Sequence, residues 1–428
     1  MISRINKYII SLLNLPEIIF IIIAFIFGSI FLFLTPPGCV PDEPCHMYRS
    51  CDVASGHLIS EIRPELRPYD DVLSKILAER FPNDNLHFAM RYSPVMYFAP
   101  AVGIKAGNMV FDNGLSIFYS GRFFSLLFYI VLIAAAIRIT PVFKYPFMFT
   151  ALLPMSLFLG MSYNADSFGI AFTFLLFAYL FRLMFSKEGI NNKQSGILGF
   201  LSVTGALAKG LIYPVFLYFF LPIKKHKFKI LFFLLFITFI AFYYSSNYLN
   251  FINTNHTCEV INDKSYILHY PLRTLNAVIM TTKEKGYIYV QQLIGYLGWL
   301  SVPIPEAVCR RTILVFCLML LVLRENIKVN IKIFSGIFFL LFYFLILYME
   351  LITWTPVGKT IIEGVQGRYF IPLLPFVMLA FPSFKLNLGE NWKYLFKAFI
   401  IFFIINLLYV SCLGLETYYY ELNINNFM

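Results

Sequence analysis

The chain has 428 residues, of which 59% are hydrophobic and 13% charged, with a mean hydropathy of +0.73. A soluble domain carries about a quarter of its residues as charges, so this composition excludes a soluble globular protein and requires lipid to cover much of the surface. The net charge of +11, from 34 basic and 23 acidic residues, would suggest nucleic acid in a soluble protein. Here the basic residues sit in short connections between apolar runs, where they set membrane orientation, so membrane lipid is the expected partner and nucleic acid is not.

The first apolar run, Ile18 to Leu34, follows Arg4 and Lys7. Gly38-Cys39 resembles a lipoprotein cleavage site, but Thr35-Pro36-Pro37 is no small-residue cleavage pattern and many spans follow, so a retained first helix is expected. With about 20 apolar residues needed to cross a ~30 Å bilayer core, the chain reads as spans near 17–34, 118–138, 146–162, 165–184, 196–208, 210–222, 230–249, 307–323, 333–352, 368–384 and 397–415. That makes an all-α polytopic membrane protein of about eleven transmembrane helices. The pair around Lys209 is short and could be one kinked helix.

The stretch Ser93 to Phe111 is apolar but broken by Pro94, Pro100, Gly103, Lys105, Gly107 and Asn108, and reads as a helix in the membrane interface. Orientation supports that reading. With the N-terminus inside, Arg138/Lys144, Arg182/Lys187/Lys193, Lys224 to Lys229, Arg324/Lys328/Lys332 and Lys385/Lys393/Lys397 all lie on the cytoplasmic side. Two long loops, 35–117 and 250–306, then lie outside, joined by tight corners at 162–166, 208–210 and 353–367. No repeat or linker divides the chain, so 1–428 is one membrane domain with a face built from external loops.

That face holds the candidate chemistry. The first loop opens Pro41-Asp42-Glu43-Pro44-Cys45-His46, and Pro44 suits the first turn of a helix. One of the two carboxylates can cap that helix, but a single cap needs only one. The other reading makes Asp42, or Glu43, a general base toward an acceptor hydroxyl. His46, four residues after Asp42, could orient it. Asp166 either caps the helix starting at Ser167 or works beside Asp42, and Asn164 fits both readings. Lys209, between two short apolar helices, is expensive there unless paired, functional or snorkelling. Arg368 can grip a phosphate with its forked donors or anchor at the interface, and Arg122 has the same two readings. Tyr287, Tyr289, Tyr296 and Trp299 suit sugar stacking or an aromatic belt. Cys39, Cys45, Cys51 and Cys258 lie where disulfides can form. No P-loop, dinucleotide fingerprint or nucleophile elbow is present.

Pro-Asp-Glu-Pro-x-His-x-Tyr-Arg at 41–49, directly after a first membrane helix, resembles a family of bacterial predicted membrane proteins placed with the GT-C glycosyltransferases. Tyr92-Ser93-Pro94 with Tyr97 and Pro100, Gly121-Arg122-Phe123, Leu153-Pro154-Met155, Ser162 to Asp166, Ala208-Lys209, Gly298-Trp299-Leu300 and Gly364 to Phe370 are similar to it in order. The chain departs at Cys45, where the family more often has a small, alanine-like residue.

The resemblance implies a GT-C fold. It also implies an acid in the first external loop acting near the acceptor, and a polyprenyl-phosphate-linked sugar as donor. At the corner holding Asp166 it implies an acid that helps the acceptor or a metal, so a divalent metal is possible. The expected activity is sugar transfer to a cell-surface glycan such as O-antigen, on the periplasmic face of the bacterial inner membrane. Asp42 or Glu43 is then the base, Lys209, Arg368 and Arg122 hold the donor phosphate, and the anomeric centre inverts. A glycan polymerase or ligase, and a flippase or transporter of lipid-linked sugar, are the alternatives.

Overall fold

The computed structural model describes residues 11–57, 89, 92–209, 213–222, 235–240, 270–323, 325–356, 358–382 and 389–421. The fold is helical, with one two-stranded hairpin among the described residues. Five helices there are long and apolar enough to cross a membrane: Pro16–Leu34 (α1), Gly114–Ile139 (α4), Ala165–Met184 (α7), Val329–Thr353 (α11) and Asn391–Glu421. The last is continuous with helix α13, Glu390–Glu416. Of these α7 is the central one, with 83% of its apolar window buried, against 22% for α11. Helix α11 therefore turns most of its surface outward, where lipid can cover it.

Several expected spans differ from that list. The span expected at 146–162 is two short helices, Lys144–Ala151 (α5) and Pro154–Gly160 (α6). The ring of Pro154 starts a new helix because it cannot continue the old one. The buried Tyr129 on α4 closes the break by donating to the Ala151 carbonyl at 2.8 Å. Gly160 lets α6 lie against the same ring, since a Cβ there would stand 2.8 Å from it. Around Lys209 the chain forms Asn192–Lys209 (α8) and a 3-10 turn, Tyr213–Phe220. Of the span expected at 230–249, only 235–240 falls among the described residues.

The second long loop, expected at 250–306, contains a 25-residue helix, Pro271–Gly295 (α9), and a β-hairpin, Tyr296–Leu297 with Val302–Pro303. The charges Arg273, Lys283, Glu284 and Lys285 obscure α9 in a hydropathy reading, although its buried side repeats at helical spacing through Ala277, Val278 and Thr281.

In the first loop, Glu43–Ala54 (α2) and Phe98–Val110 (α3) are helical, with a 3-10 turn at Pro94–Tyr97. Helix α3 has 13 residues, about 20 Å, too short to cross the bilayer core. Gly103 and Gly107 are not breaks in it. They form the surface on which α3 meets α4, since a Cβ on Gly103 would lie 2.6 Å from the Ser120 carbonyl and one on Gly107 3.0 Å from Ser120 Cβ. The chain then continues through Glu306–Val322 (α10), a 3-10 turn at Gly367–Leu373 and Leu374–Ala380 (α12).

Candidate functional site

The two adjacent carboxylates of the first loop have opposite fates. Asp42 takes a left-handed backbone conformation, φ 60° and ψ 6°, one that Asp tolerates better than most residues. This turns Glu43 into the protein and Asp42 outward. Glu43 is fully buried, as is Arg122 of α4, which donates Nε to Glu43 Oε1 at 2.8 Å and Nη2 to Oε2 at 2.5 Å. The same guanidinium donates to the carbonyls of Leu32 (3.1 Å), Thr35 (2.5 Å) and Pro36 (3.1 Å). All five of its N–H groups are thereby used, leaving none for a phosphate, and the pair instead holds the C-terminal end of α1 against the start of α2. Gly38 N–H adds a bond to Glu43 Oε2 at 3.2 Å. The phosphate-binding reading of Arg122 and the base reading of Glu43 both lose their geometry here. Neither carboxylate caps α2 with its side chain.

Asp42 reaches across 326 positions to Arg368, whose Nη2 donates to Asp42 Oδ2 at 2.6 Å. Arg368 stands in the 3-10 turn that opens before α12. Its Nε lies 3.5 Å from Asp166 Oδ2, an ion pair without a hydrogen bond. The guanidinium is the floor of the cluster, 2% exposed, and the carboxylates form its rim at 36% for Asp42 and 13% for Asp166. Arg368 Nε and Nη1 have no hydrogen-bond partner, so two faces of a buried cation keep unspent donors.

Asp166 does not cap α7. Asn164 does, its side chain accepting from Asp166 N–H at 2.8 Å, and its Nδ2 donates to the Pro41 carbonyl at 2.8 Å. One asparagine thus fixes the corner that carries Asp166 to the residue preceding Asp42. Because the cap is supplied two residues earlier, the Asp166 carboxylate is available to Arg368.

His46 Nδ1 lies 2.7 Å from the hydroxyl of Tyr97, and its ring stacks near Tyr92. Burial, with the neighbouring Tyr92 adding to it, pushes the Tyr97 phenol well above its ordinary value. Cys39, Cys45 and Cys51 are thiols. Cys45 and Cys51 stand six residues apart on α2, roughly 9 Å along the axis and beyond disulfide reach. Burial, followed by the Asp42 carboxylate, pushes the Cys45 thiol up to about 12. Cys258 and the side chain of Lys209 lie outside the described residues.

Trp299, at the tip of the β-hairpin, donates Nε1 to the Gly38 carbonyl at 2.9 Å, and Tyr419 contacts the Cys39 carbonyl at 3.3 Å. The first loop is therefore pinned by α4, α7, the hairpin and the C-terminal turn together. Sequence reasoning missed the half-buried Gln366, whose buried Oε1 has no hydrogen-bond partner. The only available signal was its place in Gly364-Val365-Gln366-Gly367-Arg368.

Asp42 and Asp166 share a guanidinium, and no group of three or more His, Cys, Asp or Glu stands together among the described residues. What the arrangement offers is a partly exposed carboxylate able to take a proton, beside a buried cation able to meet anionic oxygens.

No curated protein and no solved structure matches the chain. The family model of predicted membrane proteins known as DUF2142 matches residues 73–377. That range includes Arg122, Asp166, Lys209 and Arg368 and begins after the Pro41–Arg49 motif. Because the match covers most of its length, the chain belongs to the DUF2142 family of predicted membrane proteins.

Proposed function

We propose that this protein is a membrane glycosyltransferase of GT-C type, with about eleven spans, its N-terminus cytoplasmic and its working face on the periplasmic side of the bacterial inner membrane. It transfers a sugar from a polyprenyl-phosphate-linked donor to a cell-surface glycan such as O-antigen. The observation that carries this reading is the buried Arg368 guanidinium, held by Asp42 and Asp166 with two donors unspent. A cation of that kind suits a leaving phosphate, and a partly exposed carboxylate 2.6 Å away suits a general base.

In the proposed reaction, Asp42 accepts the proton of the acceptor hydroxyl as its oxygen bonds to the anomeric carbon. The bond from that carbon to the phosphate oxygen breaks on the opposite face, and its electron pair leaves with the polyprenyl phosphate, whose charge Arg368 meets. Single displacement inverts the anomeric centre. Asp166 positions Arg368, and Asn164 positions the Asp42 loop. No step requires Glu43 or Arg122, which belong to the scaffold.

Glycan analysis in the host organism tests the reading, comparing wild type, a gene deletion and Asp42→Asn at equal membrane expression. Loss of one defined sugar in both the deletion and Asp42→Asn is expected. A deletion that alters the glycan while Asp42→Asn leaves it intact removes the base and favours the polymerase or ligase reading. A product that retains the donor's anomeric configuration rules out the single displacement.

A further inference from the structure

We propose that the exposed faces of α9 and α10 form a docking surface for an anionic, two-chain phospholipid of the bilayer. The inference does not rest on the reading of Arg368.

Helix α10 carries Glu306, Arg310, Leu314 and Leu318 at successive intervals of four residues, which puts them on one face. Arg310 is 67% exposed, Leu314 57% and Leu318 36%, so a guanidinium heads an open apolar strip. Arg311 is exposed beside it. Helix α9 repeats the arrangement. Lys283 is exposed, and Ile279 and Leu275, four and eight residues before it, are 54% and 52% exposed. A long cationic side chain heading bare aliphatic ones suits a lipid, with its charge at the headgroups and its neighbours against acyl chains.

The two helices meet at the cationic end of these strips. The β-hairpin carries the chain from the end of α9 to the start of α10, and the Tyr287 hydroxyl of α9 lies 3.5 Å from Glu306 Oε1. Glu306 pairs with Arg310 Nη2 at 2.9 Å, and the Arg310 charge is felt at the Tyr287 hydroxyl. Lys283 stands one turn before Tyr287 on the same face. Around this contact Lys283, Lys285, Arg310 and Arg311 outnumber Glu284 and Glu306. That positive balance favours an anionic headgroup over a zwitterionic one. The apolar part selects the lipid. There are two strips, and Leu318 and Leu275 each lie eight residues from their cation, about 12 Å along the helix and less than half of the ~30 Å hydrocarbon core. Two acyl chains of one leaflet match that reach, whereas a single, much longer polyprenyl chain does not.

The test is native mass spectrometry of the full-length protein in detergent, titrated with dioleoyl-phosphatidylglycerol and with dioleoyl-phosphatidylcholine, which share their chains. Phosphatidylglycerol is expected to fill its first site at a concentration lower by about tenfold or more, the order of two net charges at a headgroup. Arg310→Gln/Arg311→Gln should cut that preference to less than about threefold, and Lys283→Gln should weaken it. Lys328→Gln/Lys332→Gln removes as much charge from the start of α11 and should leave it unchanged. Leu314→Ser/Leu318→Ser should weaken both lipids alike. Because Lys283, Arg310 and Arg311 are exposed, their variants should keep the wild-type unfolding midpoint, so a folding defect cannot produce the result. Equal binding of the two lipids, or a preference that survives the double arginine variant, overturns the proposal. Displacement of phosphatidylglycerol by a polyprenyl monophosphate at lower concentration, through the same arginines, makes the surface a carrier site and overturns the phospholipid assignment.

Discussion

Breaking the buried ion pair between Glu43 and Arg122 separates scaffold from site. Arg122→Ala leaves Glu43 fully buried with only the Gly38 N–H, and strips the carbonyls of Leu32, Thr35 and Pro36 of their shared donor. Removing one partner of a buried pair costs about 3–5 kcal/mol, or roughly two to three and a half powers of ten in the folded-to-unfolded ratio. Glu43→Gln leaves an arginine charge in the same dry setting and should fall in the same range. The double variant Glu43→Gln/Arg122→Met buries no charge. It should cost less than the sum of the singles, with a coupling of about 1 kcal/mol or more, while the three carbonyls keep it below wild type. The assay is a denaturant titration of purified protein in mixed micelles, with monodispersity checked at each point. Arg368→Ala is the control. It should shift the midpoint less, because the Asp42 it abandons is already 36% exposed and can take up water. Single variants at the wild-type midpoint, or strictly additive losses, would refute the argument that this pair holds the first loop.

Other consequences are equally direct. Asp42→Asn should lower transfer by about 10²–10⁴, the usual worth of a general base, with a midpoint loss smaller than that of Glu43→Gln because Asp166 still faces the Arg368 guanidinium; a stability loss matching that of Glu43→Gln would place Asp42 in the scaffold instead. Asn164→Ala removes the α7 cap and the tie to Pro41. It should cost about 1 kcal/mol of stability and lower activity further by loosening Asp42, an effect seen as reduced turnover in the folded fraction. Gly367→Ala should prevent normal docking of α9, since its Cβ would meet the Tyr289 carbonyl at 2.0 Å, and poor folded yield is the readout. The Cys45 thiol, pushed from an ordinary 9.0 to about 12, carries about 10³-fold less thiolate at pH 8 than an ordinary cysteine. In a variant retaining only Cys45, alkylation should therefore be slow and should keep rising with pH beyond 9, where an ordinary thiol levels off. Asp42→Asn should speed it by removing the neighbouring negative charge.

The sequence by itself determined the class of protein and the reach of its long helices. Runs of apolar residues too long for a soluble core place α1, α4, α7, α11 and α13 close to the expected bounds, because hydrophobic length is a local property. It also singled out Asp42, Asp166 and Arg368, since charges beside apolar spans are costly enough to stand out. It could not tell Asp42 from Glu43. The two differ only in direction, and that is set by one left-handed residue and by an arginine 79 positions away. Helix α9 stayed hidden because its charged residues mask a buried stripe that becomes apolar surface only once its neighbours are packed against it. Gly103 and Gly107 read as breaks because a glycine's packing partner lies on another helix. Whether an arginine is spent or available was likewise undecidable from the chain alone. Arg122 and Arg368 begin alike beside apolar spans, and only the tertiary structure surrounds one with five acceptors and leaves the other with donors to offer.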